Sequence, residues 1–475
     1  MELCRQTKHN GSFLCPDSQR PARETSYTFS HVPVRHSMLA RKCCLQGGDH
    51  PSNSWSRLKI PPLNPMLPAS SPTTPISHHL ILKNGNYLAM HYIKLLRPPV
   101  VESARAERCL RLVLAVTTDL GDSFFSPKDP VDLLVVGAYT ATKDGKEQLV
   151  PVVLTQRSPP KWKAGMRVLK LDLPLPPHPI KTIQIRPANR QLTALGTTDI
   201  YPATGQGLIL AAFSDISMEK SAAVPSVCFR SLRLPTPDNQ TLQVEEDMGD
   251  SIARHIWDSG IATVSLLADK LLGASATPIG KPMPALQQLL RQPRASPLNI
   301  LEVGCGIGTL GIGMARLLAL KKGPKQPAAR ILMTDLPEAG ERARANIARQ
   351  AEALSQASAP SLEFESLDWE DGQNGVFGEQ VQGNAWDLVV VSDCTYNTDT
   401  LSPLVQTLSA LHRHSTQQSV RPKVFLSTKS RHSSEREFWD LMAADGWSIQ
   451  EEATLPLPHI DGGGNPIELY LFEKK

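Results

Sequence analysis

Near its middle the sequence contains Ile300-Leu-Glu-Val-Gly-Cys-Gly-Ile-Gly-Thr-Leu-Gly311. An apolar run ends at Glu302, and glycines follow at alternate positions, Gly304, Gly306 and Gly308. This order is typical of a buried parallel strand, a tight turn and the start of a helix, because glycine permits positive φ angles and lets a ligand approach the backbone closely. The spacing differs from the Gly-x-Gly-x-x-Gly of dinucleotide sites. We therefore expect a loop that binds a nucleoside ligand without a pyrophosphate.

From residue 298 onward, short apolar segments alternate with segments of helical spacing. Strands are predicted at 298–303, 329–334, 362–367, 386–392, 422–428, 447–453 and 466–472, and helices at 309–320, 337–355, 400–412 and 434–444. Such alternation predicts a parallel sheet with helices on both faces. No helix separates the last two strands, so we expect them to form an antiparallel hairpin. The expected fold class is α/β, a Rossmann-like sheet of seven strands closed by a terminal hairpin.

The residues before this sheet differ in character from it and from one another. Residues 1–77 are basic and rich in proline and serine, which predicts a disordered tail. Residues 78–235 contain β-branched runs separated by turns such as Asp119-Leu-Gly-Asp122, which predicts a mainly β accessory domain, with a sandwich as one form. Scaffolding or partner recognition would suit such a domain. A polar joint at 236–247 is expected to lead into the third domain, at 245–475.

Composition and charge argue against several classes of function. The 475 residues are 41% hydrophobic, and their net charge of +4 is too small to indicate a nucleic-acid partner. The eight cysteines contain no Cys-x-x-Cys pair and no zinc spacing, so no metal site is expected. No apolar run approaches the roughly 20 residues of a membrane span, and the first residues lack the apolar core of a signal peptide. We expect a cytoplasmic protein, with the nucleus as the second choice.

Polar and glycine-rich groups follow four predicted strands, at the sheet edge where open α/β sheets bind ligands. The glycine loop follows the first strand. Asp335 ends the second and could accept hydrogen bonds from both hydroxyls of a ribose, or could instead cap the next helix. Asp368 and Trp369 follow the third and could bind an adenine, or could form a turn with a packed ring. The fourth strand leads into Val391-Ser-Asp-Cys-Thr-Tyr-Asn397, whose aspartate could also be a cap. Their occurrence together in strand order favours a nucleoside site.

Two further segments allow two interpretations each. The segment around Trp257 has helical spacing interrupted at Ser259-Gly260. It is either a helix–helix turn with the indole packed in the core, or a break that lies over the glycine loop and closes the ligand pocket. Residues 427–438 form either a solvated loop or part of the pocket rim, where Lys429, Arg431 and Glu435 would lie.

Together these residues resemble class I, seven-strand S-adenosylmethionine-dependent methyltransferases. Glu302 to Gly308 is similar to their motif I. Trp257-Asp258, Leu367-Asp-Trp369 and Asp393-Cys-Thr-Tyr396 resemble methyltransferase family 16, the protein-lysine methyltransferases with an Asp-x-x-Tyr/Phe motif. The resemblance covers residues 245–475, and the β-rich region before it resembles the extra N-terminal part of long fungal members.

The resemblance implies S-adenosyl-L-methionine as the cofactor and a protein as the substrate. The implied cofactor contacts are Trp257, Glu302, Gly304, Gly306, Gly308, Asp335, Asp368, Trp369 and Ser392. Asp393 and Tyr396 are implied to place the acceptor lysine. A translation factor or ribosomal protein is the substrate that the family suggests, and we expect a monomeric enzyme.

The fourth-strand motif itself favours lysine over other acceptors. It is not Asn/Asp-Pro-Pro-Tyr, which is typical of methylation at amide or base nitrogens, and the sequence lacks the paired-glutamate loop of arginine methyltransferases. Two alternatives stay open. One is a methyltransferase for a small molecule or nucleic acid, and the other is a cofactor-binding interaction module with little catalysis.

Overall fold

The computed structural model describes residues 90–104, 107–143, 145–200, 209–216, 226–248, 252–273, 280–321, 329–356, 358–455, 457 and 466–474. The tail predicted at 1–77 lies outside these residues. All the described residues belong to one compact unit. The β-rich part and the seven-stranded part are therefore in direct contact.

The β-rich region consists of short strands that form two sheets. The strands are β1 (His91–Leu95), β2 (Val100–Ala104), β3 (Glu107–Thr117), β4 (Val131–Lys143), β5 (Lys146–Val153), β6 (Lys161–Trp162), β7 (Leu169–Pro174), β8 (Thr182–Pro187), β9 (Thr193–Ala194), β10 (Ile209–Leu210), β11 (Ala212–Asp215), β12 (Val227–Arg233) and β13 (Thr241–Asp247). The first sheet has the order β2-β3-β1-β10-β9, with β7 paired to β3, and the second has the order β13-β12-β11-β8-β4-β5, with β6 paired to β4. One apolar core joins them, since Leu112 of the first sheet packs in the same cluster as Val135 and Ile185 of the second. The prediction of a mainly β region is confirmed.

The predicted polar joint at 236–247 is wrong, because β13 occupies its second half and pairs with β12 along its whole length. Its acidic side chains are not solvated. Glu246 forms a buried ion pair with Arg230, and Glu245 pairs with Arg342 of the seven-stranded part. Three acids in succession suggest a solvated segment when the segment is considered alone, because their partners, Arg230 and Arg342, lie outside it.

The rest of the chain forms the third sheet and its helices. These elements are α1 (Asp258–Leu272), α2 (Pro284–Arg291), β14 (Leu298–Val303), α3 (Thr309–Leu320), β15 (Ala329–Asp335), α4 (Pro337–Arg349), β16 (Ser361–Ser366), α5 (Trp369–Gly372), α6 (Glu379–Gln382), β17 (Leu388–Ser392), α7 (Leu401–Gln417), β18 (Lys423–Lys429), α8 (Glu437–Ala444), β19 (Trp447–Leu455) and β20 (Ile467–Lys474). The described strands have the order β16-β15-β14-β17-β18-β20-β19. The five strands from β14 to β18 are parallel, whereas β20 is antiparallel to both of its neighbours. The predicted α/β fold with a terminal hairpin is confirmed.

The position of β14 explains where a ligand can bind. This strand pairs with β15 on one side and with β17 on the other, so the chain order reverses across it. Where the strand order reverses, the chain segments that follow the two neighbouring strands run to opposite faces of the sheet. This opens a crevice at the carboxyl ends of those strands. Helix α4 ends at Arg349 rather than at the predicted 355, because the amide of Gln350 donates to the carbonyl of Ile347 and tightens the last turn.

The apolar core on one face of this sheet is shared with the β-rich region. Met90 and Tyr92 from the β-rich region belong to the same buried cluster as Val264 of α1 and Leu310 of α3. The two parts therefore bury apolar surface against each other, which favours a fixed relative position. Within the described residues, no helix combines the length and the apolar character needed to cross a bilayer.

Candidate active site

A cavity of about 250 Å³ lies at the carboxyl ends of β14 to β17. Ten of the eleven residues predicted from the sequence line it: Trp257, Glu302, Gly304, Gly306, Asp335, Asp368, Trp369, Ser392, Asp393 and Tyr396. Gly308 is the exception. It precedes α3 with a φ of 84°, and a Cβ atom there would lie 2.8 Å from the methyl carbon and sulfur of Met333. Its absent side chain thus allows close packing behind the loop.

The glycine loop brings bare backbone to the cavity wall. Gly304 and Gly306 have φ angles of 73° and 53°, a region that side-chain-bearing residues rarely adopt. A Cβ atom at Gly304 would collide with the sulfur of Cys394 and lie 3.2 Å from the Trp369 ring. Asp335 fixes the loop, since the amide of Gly306 donates to its carboxylate at 2.7 Å. A ligand can therefore contact backbone atoms that the side chain of any other residue type would cover.

Two carboxyl groups lie beneath this loop, the buried Glu302 and the partly buried Asp335. Glu302 accepts a hydrogen bond from the amide of Gly311 at 3.0 Å, and burial raises its pKa to about 8. Burial also raises the pKa of Asp335. The second oxygen of Asp335 accepts from the amide of Leu336 at 2.7 Å, but the N-cap of α4 is Leu336 itself, without a side-chain cap. Asp335 thus orients the loop and is not a helix cap.

Asp368 and Trp369 form another part of the cavity wall. Asp368 is exposed, and its carboxylate caps α5 by accepting from the amide of Glu370 at 2.9 Å. Trp369 is partly buried beside Gly304. Asp368 therefore forms a turn, as the second of its two interpretations predicts, and both residues also line the cavity.

Helix α1 begins next to the cavity, and its start differs from the prediction. The helix runs from Asp258 without interruption, so the break predicted at Ser259-Gly260 is wrong. The irregular backbone lies just before it, where a 3₁₀ turn at Ile252–Arg254 is followed by extended chain at Trp257. Of the two interpretations for Trp257, the structure favours the second, because its side chain lines the cavity.

The first amides of α1 are satisfied by carboxylates from distant parts of the chain. Trp257 is the N-cap residue but provides no side-chain cap. The amide of Asp258 donates to Asp119 at 3.2 Å, and the amide of Ser259 donates to Asp393 at 2.9 Å. Free amides and the helix dipole both favour negative charge at this end. A helix can therefore begin here although the local sequence contains no cap.

Asp393 is held in an unusual backbone conformation. Its φ angle is 53°, and its carboxylate accepts from the amides of Ser259 and of Lys429, the latter at 3.1 Å. Burial raises the pKa of Asp393, and the nearby Arg431 opposes that shift. The side chain thus joins the start of α1 to the end of β18 and does not cap the helix that follows it.

Tyr396 lies at the mouth of the cavity and is half exposed. Its ring is nearly parallel to that of Trp257, with an interplanar angle of 10° and ring centres 6.3 Å apart. The guanidinium carbon of Arg431 lies 5.0 Å from the centre of the Trp257 ring on which it rests. The two aromatic rings form a wall between solvent and the cavity, which we call the aromatic wall.

Of the two interpretations for the segment 427–438, the structure favours the second, because Arg431 lies against Trp257 and Asp393, which line the cavity. Lys429 and Arg431 are partly buried and form ion pairs, Lys429 with Asp258 at 2.6 Å and Arg431 with Asp119 at 2.8 Å. The sequence predicts for Asp119 only a place in a turn of the β-rich region. No local signal identifies it, because its partner lies 312 positions away.

The residues at this cavity fit S-adenosylmethionine. The hydroxyl of Thr309 is buried at the cavity wall and, within the described structure, has no hydrogen-bond partner. The carboxyl groups of Glu302 and Asp335 suit the ribose hydroxyls of this cofactor, and Trp369 offers a stacking face. The glycine loop leaves the space that a Cβ atom would fill.

Comparisons with known proteins agree with this geometry. Residues 236–445 match a family model described as lysine methyltransferase. This part of the chain is therefore an S-adenosylmethionine-dependent methyltransferase with a class I fold. A Schizosaccharomyces pombe protein of the UPF0665 family is 24% identical over 391 residues, which span 82% of this chain and the whole relative.

Solved structures with a detectable likeness include two archaeal proteins. A Methanosarcina mazei protein described as an S-adenosylmethionine-dependent methyltransferase is 14% identical, with a TM-score of 0.28, over 41% of this chain and 98% of its own. The TYW2 protein of M. jannaschii, in complex with AdoMet, is 9% identical, with a TM-score of 0.27, over 55% of this chain and 91% of its own. The strand order defines the methyltransferase fold independently of these overlaps.

The buried carboxyl of Glu302 predicts a pH-dependent stability. The pKa of a glutamate in an unfolded chain is about 4.3, and burial raises that of Glu302 to about 8. The folded state therefore binds this proton more tightly, and folding loses stability as the pH rises from the lower value through the higher one. We expect the thermal midpoint of Glu302→Gln to fall less than that of the wild type between about pH 6 and about pH 9.

The control for this experiment is Glu363→Gln, at an exposed position of β16. It should follow the wild-type trend. Parallel curves for all three proteins would show that Glu302 ionises in the folded protein as it does in the unfolded chain.

Proposed function

We propose that this methyltransferase transfers the methyl group of S-adenosylmethionine to the side-chain amine of a lysine in a protein. The observation that carries the proposal is the charge of the cavity. Its described lining contains neither lysine nor arginine but five acidic side chains: Glu302, Asp335, Asp368, Glu370 and Asp393. Glu302, with a pKa of about 8, is mostly uncharged at neutral pH, so the negative charge comes from the other four. An acidic cavity attracts an ammonium group and repels the phosphates of a nucleic acid.

The aromatic wall supports an amine acceptor. The methyl group on the sulfonium of the cofactor is already electrophilic, so the protein needs mainly to align the two reactants. A lysine ammonium must lose its proton before it can attack, and an apolar channel lowers its pKa. Trp257 and Tyr396 provide such a surface at the mouth of the cavity. We assign no dedicated general base.

The cellular substrate is a further part of this proposal. The family resemblance suggests a cytoplasmic protein of the translation machinery, such as a translation factor or a ribosomal protein, methylated by a monomeric enzyme. The small net charge of +4 is compatible with a protein partner.

Labelling of a fungal cell extract tests the proposed substrate class. The purified full-length enzyme and S-adenosylmethionine tritiated in the methyl group are added to the extract, which is then separated into protein, nucleic acid and small molecules. We expect a labelled protein band that disappears with heat-inactivated enzyme. Label confined to nucleic acid or small molecules supports the alternative acceptors, and no label in any fraction supports a binding module.

Substitutions at Tyr396 test the aromatic wall. We expect Tyr396→Ala to lower the labelling rate about 30-fold, or by about 2 kcal/mol in the transition-state free energy, because the acceptor loses one side of its channel. Tyr396→Phe keeps the ring and should retain most of the activity. If the alanine variant labels protein as fast as the wild type, the acceptor does not pass this ring.

A further inference from the structure

The β-rich region contributes a buried carboxylate to the surroundings of the active site. Asp119 follows β3 in the turn that was predicted from the sequence, and only 3% of its surface is exposed. Its two oxygens accept hydrogen bonds from the guanidinium of Arg431 at 2.8 and 3.3 Å. One of them also accepts from the amide of Asp258 at 3.2 Å. A paired guanidinium–carboxylate contact of this kind fixes the orientation of both planes.

Arg431 connects this carboxylate with the aromatic wall. Its guanidinium rests on the Trp257 ring at 5.0 Å, and the same group lies 3.7 Å from the carboxylate of Asp393. Trp257 in turn lies parallel to Tyr396. A cation above the face of an indole ring and the ring attract each other. The position of Arg431 therefore influences the position of the Trp257 ring, which lines the cavity.

The start of α1 depends on the same contacts. Asp258 accepts hydrogen bonds from the hydroxyl of Tyr92 and from the ammonium of Lys429, both at 2.6 Å. Tyr92 and Asp119 come from the β-rich region, whereas Lys429 comes from β18. A buried charge is stable only when it is paired, so the loss of one member leaves the others uncompensated. The arrangement therefore links the β-rich region to the residues around Trp257.

We infer that Asp119 is a positioning residue for methyl transfer, which acts through Arg431 on the aromatic wall and through the amide of Asp258 on the start of α1. The β-rich region is thereby part of the active site and is more than a separate recognition module. This inference rests on the proposed placement of the acceptor at Tyr396.

The test compares three full-length proteins: the wild type, Asp119→Asn, and Asp122→Asn as the matched control. Asp122 lies in the same turn, is exposed and bonds only to the hydroxyl of Thr118 among the described contacts. We expect Asp119→Asn to lower the kcat of label transfer into the extract proteins about 10-fold or more, while the Kd for S-adenosylmethionine changes less than about twofold. Asp122→Asn should match the wild type in both.

Two further measurements separate positioning from a loss of folding. In a cycle with Arg431→Gln, the double variant should lose no more activity than the worse of the single variants, because both remove the same contact. Amide exchange of residues 252–262 should be faster in Asp119→Asn than in Asp122→Asn, even if no acceptor is labelled. Additive losses, or unchanged exchange in this segment, would overturn the inference. Absence of label with the wild type would contradict the proposed function and leave the exchange result to decide the role of Asp119.

Discussion

We expect Gly304→Ala to weaken S-adenosylmethionine binding about 100-fold, or by about 3 kcal/mol. The new Cβ atom would collide with the sulfur of Cys394 and press against the ring of Trp369, on the wall of the cavity. A φ of 73° adds backbone strain of about 1–2 kcal/mol. Calorimetric titration of the purified variant with the cofactor measures the effect.

Gly375→Ala separates crowding from backbone strain. Gly375 has a φ of 74°, almost the same as Gly304, but a Cβ atom there meets no other atom within 4 Å. Gly375→Ala should lower the thermal midpoint and leave the cofactor Kd near that of the wild type. Equal losses of affinity in both variants would mean that the glycine loop does not approach the cofactor.

The second large effect is expected at the end of β17, where Asp393→Asn should lower methyl transfer about 100-fold. The carboxylate accepts hydrogen bonds from the amides of Ser259 and Lys429. The asparagine side chain has one acceptor oxygen and one amino group, which is a donor. One of the two backbone amides therefore faces the amino group and loses its hydrogen-bond acceptor, which costs about 1–3 kcal/mol. Asparagine tolerates the positive φ of this position, so the backbone itself need not change. Cofactor affinity should stay within about threefold.

Asp387→Asn is a closely matched control at the opposite end of the same strand. Asp387 also accepts a backbone hydrogen bond, from Asn299 at 2.9 Å, and also pairs with an arginine, Arg294 at 2.5 Å. Its substitution should reduce stability without a selective loss of transfer. If Asp393→Asn methylates at the wild-type rate, Asp393 has no part in placing the acceptor.

The seven-stranded sheet could be predicted because its signals are local. The strand predicted at 298–303 and the helix predicted at 309–320 coincide with β14 and α3. Continuous apolar runs mark buried parallel strands, and each such run is complete within a few residues. The candidate residues at the strand ends followed from the same reasoning, since parallel strands all end at one edge of the sheet.

The start of α1 and the strand β13 could not be predicted, because their stabilising partners are distant in sequence. Asp119 and Asp393 supply the carboxylates that a local N-cap would otherwise provide. The buried Glu246 is paired with Arg230 of the neighbouring strand, and its other oxygen accepts from the amide of Ile256 at 3.0 Å. Propensity and charge patterns describe a segment by itself, whereas these contacts arise from the tertiary fold.

The role of Asp368 could not be predicted for a different reason, because a residue in a turn can also line the cavity. The sequence allowed either an adenine contact or a turn, and its carboxylate caps α5 while the residue lines the cavity. A residue in a turn can thus also line the cavity, and its spacing in the sequence does not show whether it contacts a ligand.

The most direct measurement for the central claim identifies the amino acid that receives the methyl group. Extract proteins labelled by the full-length enzyme and tritiated S-adenosylmethionine are hydrolysed completely, and the labelled products are separated by chromatography. We predict that the label elutes with methylated lysine standards and is lost with Asp393→Asn. Label that elutes with methylarginine or methylhistidine, or that remains only in nucleic acid, would contradict the account.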